Sequence, residues 1–140
     1  MMLFDHPPGW IESPFPPPQR GIYLHAPPGG ARGAILMMDA IAPHGSLEDQ
    51  LAAAVVTGCS GAELLAQAAP YAFETVANMR GLSIATRVRV THEGKVREEL
   101  RVFTLVDAGE LRLPIVFLGD LGAAEIYQDA IGLVLYSIRR

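Results

Sequence analysis

Apolar and polar side chains alternate along the stretch from Leu82 to Leu118. A period of two residues is typical of a β-strand that buries one face. The expected inward residues are Leu82, Ile84, Thr86, Val88 and Val90 in a first run, Val96, Leu100, Val102, Thr104 and Val106 in a second, and Leu111, Leu113, Ile115 and Phe117 in a third. The stretch therefore predicts three consecutive antiparallel strands. Pro114 has no amide donor, so the third strand should be an edge or bulged there.

The turn between the first two strands is predicted from the register of the residues that flank it. A two-residue loop, Glu93-Gly94, would set Val90 opposite Arg97, whereas a three-residue loop sets Val90 opposite Val96. The longer loop keeps apolar residues together, and a slip of one residue would invert every side chain. It also places Gly94 where such a turn needs a left-handed residue. We therefore expect the three-residue loop. Its further pairs are Ile84 with Val102 and Arg87 with Glu99.

In this register, five charged residues share the polar face of the central hairpin. They are Arg87, Arg89, Arg97, Glu99 and Arg101. Arginine makes two parallel hydrogen bonds with a carboxylate, so this face is a candidate docking site for an acidic protein partner. The alternative, which we prefer, is a solvated face whose cross-strand ion pairs contribute little.

The rest of the chain predicts helices and shorter strands around this meander. Gly21 to Ala26 and Ala34 to Ile41 read as a hairpin, and Ala62 to Ala69 as a short strand. Ser46 is a helix N-cap, followed by acidic residues that suit the helix dipole. The apolar stripe of that helix is Leu47, Leu51, Ala54 and Val55, and Gly58 is its expected end. A last helix opens at Gly119-Asp120. Its expected buried stripe is Ile126, Tyr127, Ala130, Ile131, Val134 and Ile138.

Two features of the N-terminal region need an interpretation. Trp10 follows a Pro-Gly turn, and a tryptophan in that position is expected to plug the core. The proline-rich segment from Ser13 to Arg20 favours an extended backbone. It is either a stiff loop laid over the sheet, which we prefer, or a ligand for an aromatic groove on another protein.

Size and composition exclude several classes of protein. The chain has 140 residues, half of them hydrophobic, and a net charge of −4. This favours one domain spanning residues 1–140 and argues against general nucleic-acid binding, which needs a basic surface. No apolar run reaches the length of a membrane span, and the first residues do not resemble a secretory signal. With a single cysteine, we expect a cytoplasmic protein.

The residues that carry chemistry do not form a catalytic pattern. The four histidines, His6, His25, His44 and His92, are dispersed without metal-ligand spacing. Cys59 has no histidine at a recognisable spacing and is expected to be structural. The glycines between Pro27 and Gly33 lack the lysine of a phosphate loop. We therefore expect no enzyme activity, no cofactor and no metal.

The order of elements resembles the PsbP-like superfamily, which includes the bacterial DcrB-type domains. The resemblance is carried by Phe4 with Pro8-Gly9-Trp10, the capped helix at Ser46 to Val56, the meander from Gly81 to Leu118, and the closing Leu135-Tyr136-Ser137-Ile138. The proline-rich loop matches no motif of that family. The resemblance implies an α+β fold, an antiparallel sheet packed between helices as an α/β/α sandwich. It implies no catalytic residues.

Two functions follow from the resemblance and the sequence together. DcrB-type members near type VI secretion systems are cytoplasmic chaperones for the apolar segments of effectors, which implies a non-enzymatic adaptor or chaperone that binds a protein partner. A homodimer is compatible with this. The alternative is a carrier of a small molecule or lipid, with a pocket between sheet and helix. Its expected lining is Leu36, Met37, Met38 and Phe117.

Overall fold

A computed structural model describes residues 2–140 as an antiparallel eight-stranded sheet with three helices. The strands are β1 (Ile11–Pro14), β2 (Gly21–His25), β3 (Gly33–Met38), β4 (Glu63–Gln67), β5 (Tyr71–Glu74), β6 (Arg80–His92), β7 (Lys95–Asp107) and β8 (Arg112–Gly119); the helices are α1 (Leu47–Gly58), α2 (Ala123–Ile126) and α3 (Gln128–Tyr136). The sheet order is β1-β2-β3-β8-β7-β6-β4, and β5 also pairs with β6. The predicted α+β class and the β6-β7-β8 meander are confirmed.

Helix α1 covers one face of the sheet and follows the predicted pattern. The Ser46 hydroxyl accepts a hydrogen bond from the amide of Asp49 at 3.0 Å, so it caps the helix. Leu47, Leu51 and Val55 are buried. They belong to a core cluster with residues of β6, β7 and β8, including Phe103. The cap is therefore confirmed, and so is the apolar stripe except at Ala54, which is only half-buried.

The opposite face is covered by α3 and by Trp10. Trp10 is 7% exposed and meets the ring of Tyr127 edge-on, with ring centroids 5.2 Å apart. Val134 and Ile138 are fully buried in the same core cluster. Trp10 is thus a core residue, as predicted. The proline-rich segment lies over the other face, where Phe15 contacts Tyr23.

The turn between β6 and β7 differs from the prediction. It is a two-residue turn, with Glu93 at φ 51° and Gly94 at φ 76°. Val90 therefore pairs with Arg97, and Ile84 with Phe103 rather than Val102. Two left-handed residues form the tight turn whose twist matches that of the strands. The predicted three-residue loop was wrong because glutamate does not usually mark a left-handed position, so nothing in the sequence identified Glu93 as one.

The corrected register divides the proposed docking face between the two sides of the sheet. Arg97, Glu99 and Arg101 lie on the α1 face, opposite Val90, Val88 and Thr86 of β6. Arg87 and Arg89 lie on the α3 face. The predicted set of five residues on one face is therefore wrong, because the one-residue difference in loop length inverts all of β7 relative to β6.

The C-terminal region is also divided differently from the prediction. β8 runs through Gly119, and the helical region begins at Ala123 and is interrupted at Tyr127. Ile126 is 66% exposed, so it does not belong to the buried stripe, whereas Val134 and Ile138 do. The break coincides with the packing of the Tyr127 ring against Trp10.

Pro114 lies at a local edge inside the sheet. It pairs with Leu105 of β7, but the β3–β8 ladder ends one residue away, at Met37 and Ile115. On the β3 side, Pro114 has no ladder partner. Its missing amide donor therefore does not break a ladder hydrogen bond there. Pairing resumes at an isolated bridge between Ile41 and Arg112.

We expect replacement of Glu93 by asparagine to stabilise the protein by about 0.5–1 kcal/mol. Asparagine tolerates the left-handed conformation better than glutamate and, followed by glycine, is the preferred sequence for this turn. The free energy of unfolding in urea measures the effect. Glu110→Asn, at an exposed position without a positive φ, is the control and should change stability by less than about 0.5 kcal/mol. A loss of stability for Glu93→Asn would contradict the two-residue turn.

Two glycine-to-alanine changes should have opposite effects. A Cβ at Gly58 would overlap the buried ring of Phe103, so Gly58→Ala should destabilise by about 1–3 kcal/mol. At Gly132, in α3, the nearest atoms lie 3.7 Å from an added Cβ. Gly132→Ala should therefore stabilise by up to about 1 kcal/mol through helix propensity. Thermal unfolding of both variants tests the pair, and a stabilising Gly58→Ala would contradict the close packing.

Candidate functional site

An apolar groove lies on the α1 face, beside the helix. α1 packs mainly on β6 and β7, and β8 and β3 extend beyond it. A cavity of about 560 Å³ opens along its flank. Its floor is formed by Met38, Phe103, Leu105, Pro114 and Val116. We call this cavity, together with the neighbouring cavity beside Phe15 and Tyr23, the α1 groove.

One wall of the α1 groove is helix α1 itself. Gln50, Ala53, Ala54 and Thr57 line it, while the helix buries Leu47, Leu51 and Val55 against the neighbouring strands. These two sets lie on different sides of the helix because of its 3.6-residue period. Since the wall carries two alanines in its centre, the space beside the helix is not filled by large side chains.

The other wall is the proline-rich segment with β2. A second cavity of about 500 Å³ is lined by Phe15, Pro18 and Tyr23 and shares Met38, Ile41 and Pro114 with the first. The rings of Phe15 and Tyr23 lie 4.4 Å apart. The two cavities therefore form one continuous groove with a helix on one side and aromatic rings on the other.

A cluster of charges lies beyond one end of the groove, next to the C-terminus of α1. Arg101 donates to the carbonyl of Gly58 at 2.7 Å and to Glu99 Oε1 at 2.7 and 3.0 Å. Glu99 is 7% exposed. Arg32 and Arg97 approach Glu99 Oε2 at 3.8 and 3.9 Å. We call Arg32, Arg97, Glu99 and Arg101 the arginine cluster.

The other end of the groove lies near the N-terminus of α1. Gln50 Oε1 accepts hydrogen bonds from the amide of His44 at 3.2 Å and from Arg112 Nη1 at 2.6 Å. Arg112 is 7% exposed, and its Nε has no hydrogen-bond partner within residues 2–140. Asp49 lines this end of the groove and is exposed, so a carboxylate is present there.

The structure brings together only part of the predicted binding set. Arg97, Glu99 and Arg101 belong to the arginine cluster. Arg87 pairs with Glu98 at 3.3 Å and Arg89 with Glu63 at 2.9 Å, on the opposite face. Those two pairs are largely exposed and fit the solvated face that was the alternative interpretation.

The predicted lining of the carrier pocket is divided in the same way. Leu36 and Met38 line the groove. Met37 and Phe117 belong instead to the core cluster beneath α3. The helix wall was not predicted, because Ala54 was assigned to the buried stripe of α1 and Ala53 to neither side. An available signal was that two adjacent alanines on one flank of the helix leave space beside it.

Two ionisable groups outside the groove have pKa values that their hydrogen-bond partners shift. A hydrogen bond from its own backbone amide, and then one from Arg80, lower the pKa of Glu48 in the first turn of α1. The hydrogen bond with the Tyr71 hydroxyl raises the pKa of Tyr136. Cys59 is buried.

Within residues 2–140, no three His, Cys, Asp or Glu side chains are grouped so as to hold a metal ion. Across the same residues, no helix has the length and apolarity to cross a bilayer.

The fold defines an α+β protein in which helices pack on both faces of one antiparallel sheet, and solved structures share it. LpqN of Mycobacterium tuberculosis, a protein involved in cell envelope biogenesis, superposes with a TM-score of 0.62 at 10% identity, over 99% of this chain and 83% of LpqN. PA94 of Pseudomonas aeruginosa, a protein of unknown function suggested to be a regulator, gives a TM-score of 0.56 at 11% identity, over 90% and 91%.

These similarities establish a shared fold, since identity is near one residue in ten. No protein-family model matches the sequence, and no curated protein matches it.

Proposed function

We propose that this protein is a non-enzymatic protein-binding module, an adaptor or chaperone that holds an apolar segment of a partner in the α1 groove. The observation that carries the proposal is the apolar floor of the groove, from Phe103 to Met38, which is lined on both sides. Apolar surface gains about 25 cal/mol for each Å² removed from water, so an apolar segment is the favoured occupant.

The dimensions of the groove suit a short helix or an extended strand. The helix wall from Gln50 to Gly58 spans about 12 Å at 1.5 Å per residue. About two to three turns of an apolar helix would match this length, in the helix-in-groove mode of peptide recognition.

The family resemblance agrees with this proposal. The capped helix, the meander and the closing segment resemble the PsbP-like superfamily and its DcrB-type domains, in which small adaptors and chaperones occur. The proposal is therefore that the chain is a DcrB-type domain acting in the cytoplasm. A secretion effector with apolar segments is the partner that this resemblance favours.

We expect Ala53→Arg to weaken binding of an apolar helical peptide by about tenfold, equivalent to about 1.4 kcal/mol. The long charged side chain would occupy the middle of the groove wall. NMR titration of the labelled protein with a 12-residue Leu/Ala peptide measures the affinity and identifies the contacted residues.

Ala52→Arg is the matched control, since Ala52 is exposed on the same helix and does not line the groove. It should leave the affinity within about twofold. Equal losses in the two variants, or shift changes on the α3 face alone, would contradict binding in the groove. Capture of a host protein by the wild type and Ala52→Arg, but not by Ala53→Arg, would then identify the partner.

The groove also supports a second function, that of a small-molecule or lipid carrier. The cavity of about 560 Å³ lies within the range of roughly 300–1,000 Å³ that is typical of ligand pockets. Native mass spectrometry of protein purified without detergent tests this. We expect a bound mass that is absent from Ala53→Arg if the carrier function is correct. The bare polypeptide mass for the wild type would count against it.

A further inference from the structure

The arginine cluster carries more positive charge than its own carboxylate can neutralise. Glu99 Oε1 accepts both of its short hydrogen bonds from Arg101. The other oxygen lies 3.8 Å from Arg32 and 3.9 Å from Arg97, distances beyond a hydrogen bond. Arg101 is held further by the Gly58 carbonyl. One carboxylate thus faces three guanidinium groups, and Arg101 has the closest contacts with it.

Arg97 is the member of the cluster that is least neutralised. Arg32 has a second partner, since its guanidinium lies 3.4 Å from Asp120. Arg97 is 55% exposed, and within residues 2–140 its ion pair is the one with Glu99. A guanidinium in this situation can accept a further carboxylate in a planar, two-bond arrangement.

The cluster stands where the floor of the groove ends. Arg101 pairs with Leu118 of β8, and Phe103, which lines the groove, is the next residue of β7 on the same face. The opposite end holds the exposed carboxylate of Asp49, and the guanidinium of Arg112 at that end lies 4.0 Å from the carboxylate of Asp107. The two ends therefore differ in charge, with excess cation near Arg97 and an anion at the N-terminus of α1.

We propose that the α1 groove binds its partner in one direction, with an acidic residue that follows the apolar segment held by Arg97 of the arginine cluster. The occupant is a protein segment that is apolar for two to three helical turns and carries a Glu or Asp at one end. Repulsion by Asp49 disfavours the reverse orientation. This inference rests on the proposed function, and it adds the polarity and the charge of the partner.

The experiment compares two 14-residue helical peptides of Leu and Ala. One carries two Glu residues at its C-terminus, and its twin carries two Gln residues there; both have an amidated C-terminus and a nitroxide label at the N-terminus. At low salt we expect the Glu peptide to bind the full-length protein about fivefold more tightly than the Gln peptide. The difference should shrink in 0.5 M salt, since exposed charges are screened.

Arg97→Gln should remove the difference between the peptides, mainly by weakening the binding of the Glu peptide. The matched control is Arg87→Gln, because Arg87 is similarly exposed but lies on the other face, and it should retain the fivefold preference. In the wild type, the nitroxide of the Glu peptide should broaden the amide signals of Ile41 and His44 and spare those near Arg32.

The remaining outcomes overturn one proposal or both. If the two peptides bind the groove equally, or if the preference survives Arg97→Gln, the directional anchor is wrong and the protein-binding function stands. If broadening by the nitroxide appears near Arg32, the polarity is wrong. If neither peptide shifts the groove residues, the proposed function fails, and the inference fails with it.

Discussion

The two-residue turn at Glu93 and Gly94 fixes the arrangement on which the candidate site depends. Because side chains alternate along a strand, this turn decides which half of β7 faces α1. It places Phe103 and Leu105 opposite Ile84 and Leu82, and these four residues form the surface on which α1 packs. The same register brings Glu99 and Arg101 to that face. With a turn one residue longer, the residues of β7 that now contact α3 would face α1 instead, and they would form the floor of the groove.

The contact between α1 and β7 joins the stability of the fold to the shape of the groove. Gly58 lies so close to the Phe103 ring that no side chain fits between them, and Arg101 binds the Gly58 carbonyl at the end of the helix. A cation at a helix C-terminus is favourable because it compensates the helix dipole. Arg101 therefore binds both the end of helix α1 and the carboxylate of Glu99, so it positions the helix wall and the arginine cluster together. In consequence, the wall and the arginine cluster are parts of one structure.

Local signals in the sequence were sufficient for the elements but not for the site. The Ser46 cap and the Leu47, Leu51 and Val55 stripe predicted α1, since both depend on neighbouring residues. The register of β7 was not predictable in this way, because every residue from Val102 to Val106 is apolar or threonine, so both faces of this central strand are buried and alternation is lost. The groove unites residues from α1, β2, β3, β7 and β8, and their proximity depends on that register. The register of β7 also explains why the arginines lie on two different faces of the sheet.

The two faces of the sheet are packed differently around their helices. Beneath α3 the packing is close, and the void there is about 20 Å³. Beside α1 the cavity is about 560 Å³, although the floor residues Leu36 and Val116 are each only 8% exposed. An empty apolar groove forgoes the dispersion contacts that a filled one would make. Larger side chains at Ala53 and Ala54 would make more of these contacts, so close packing alone does not account for the open groove, whereas the proposed binding function requires it. Directly beneath α3 the core is closed, and a cavity of about 470 Å³ opens farther along that face, between Phe4, Ile22 and Leu113, so each face combines a packed core with an open margin.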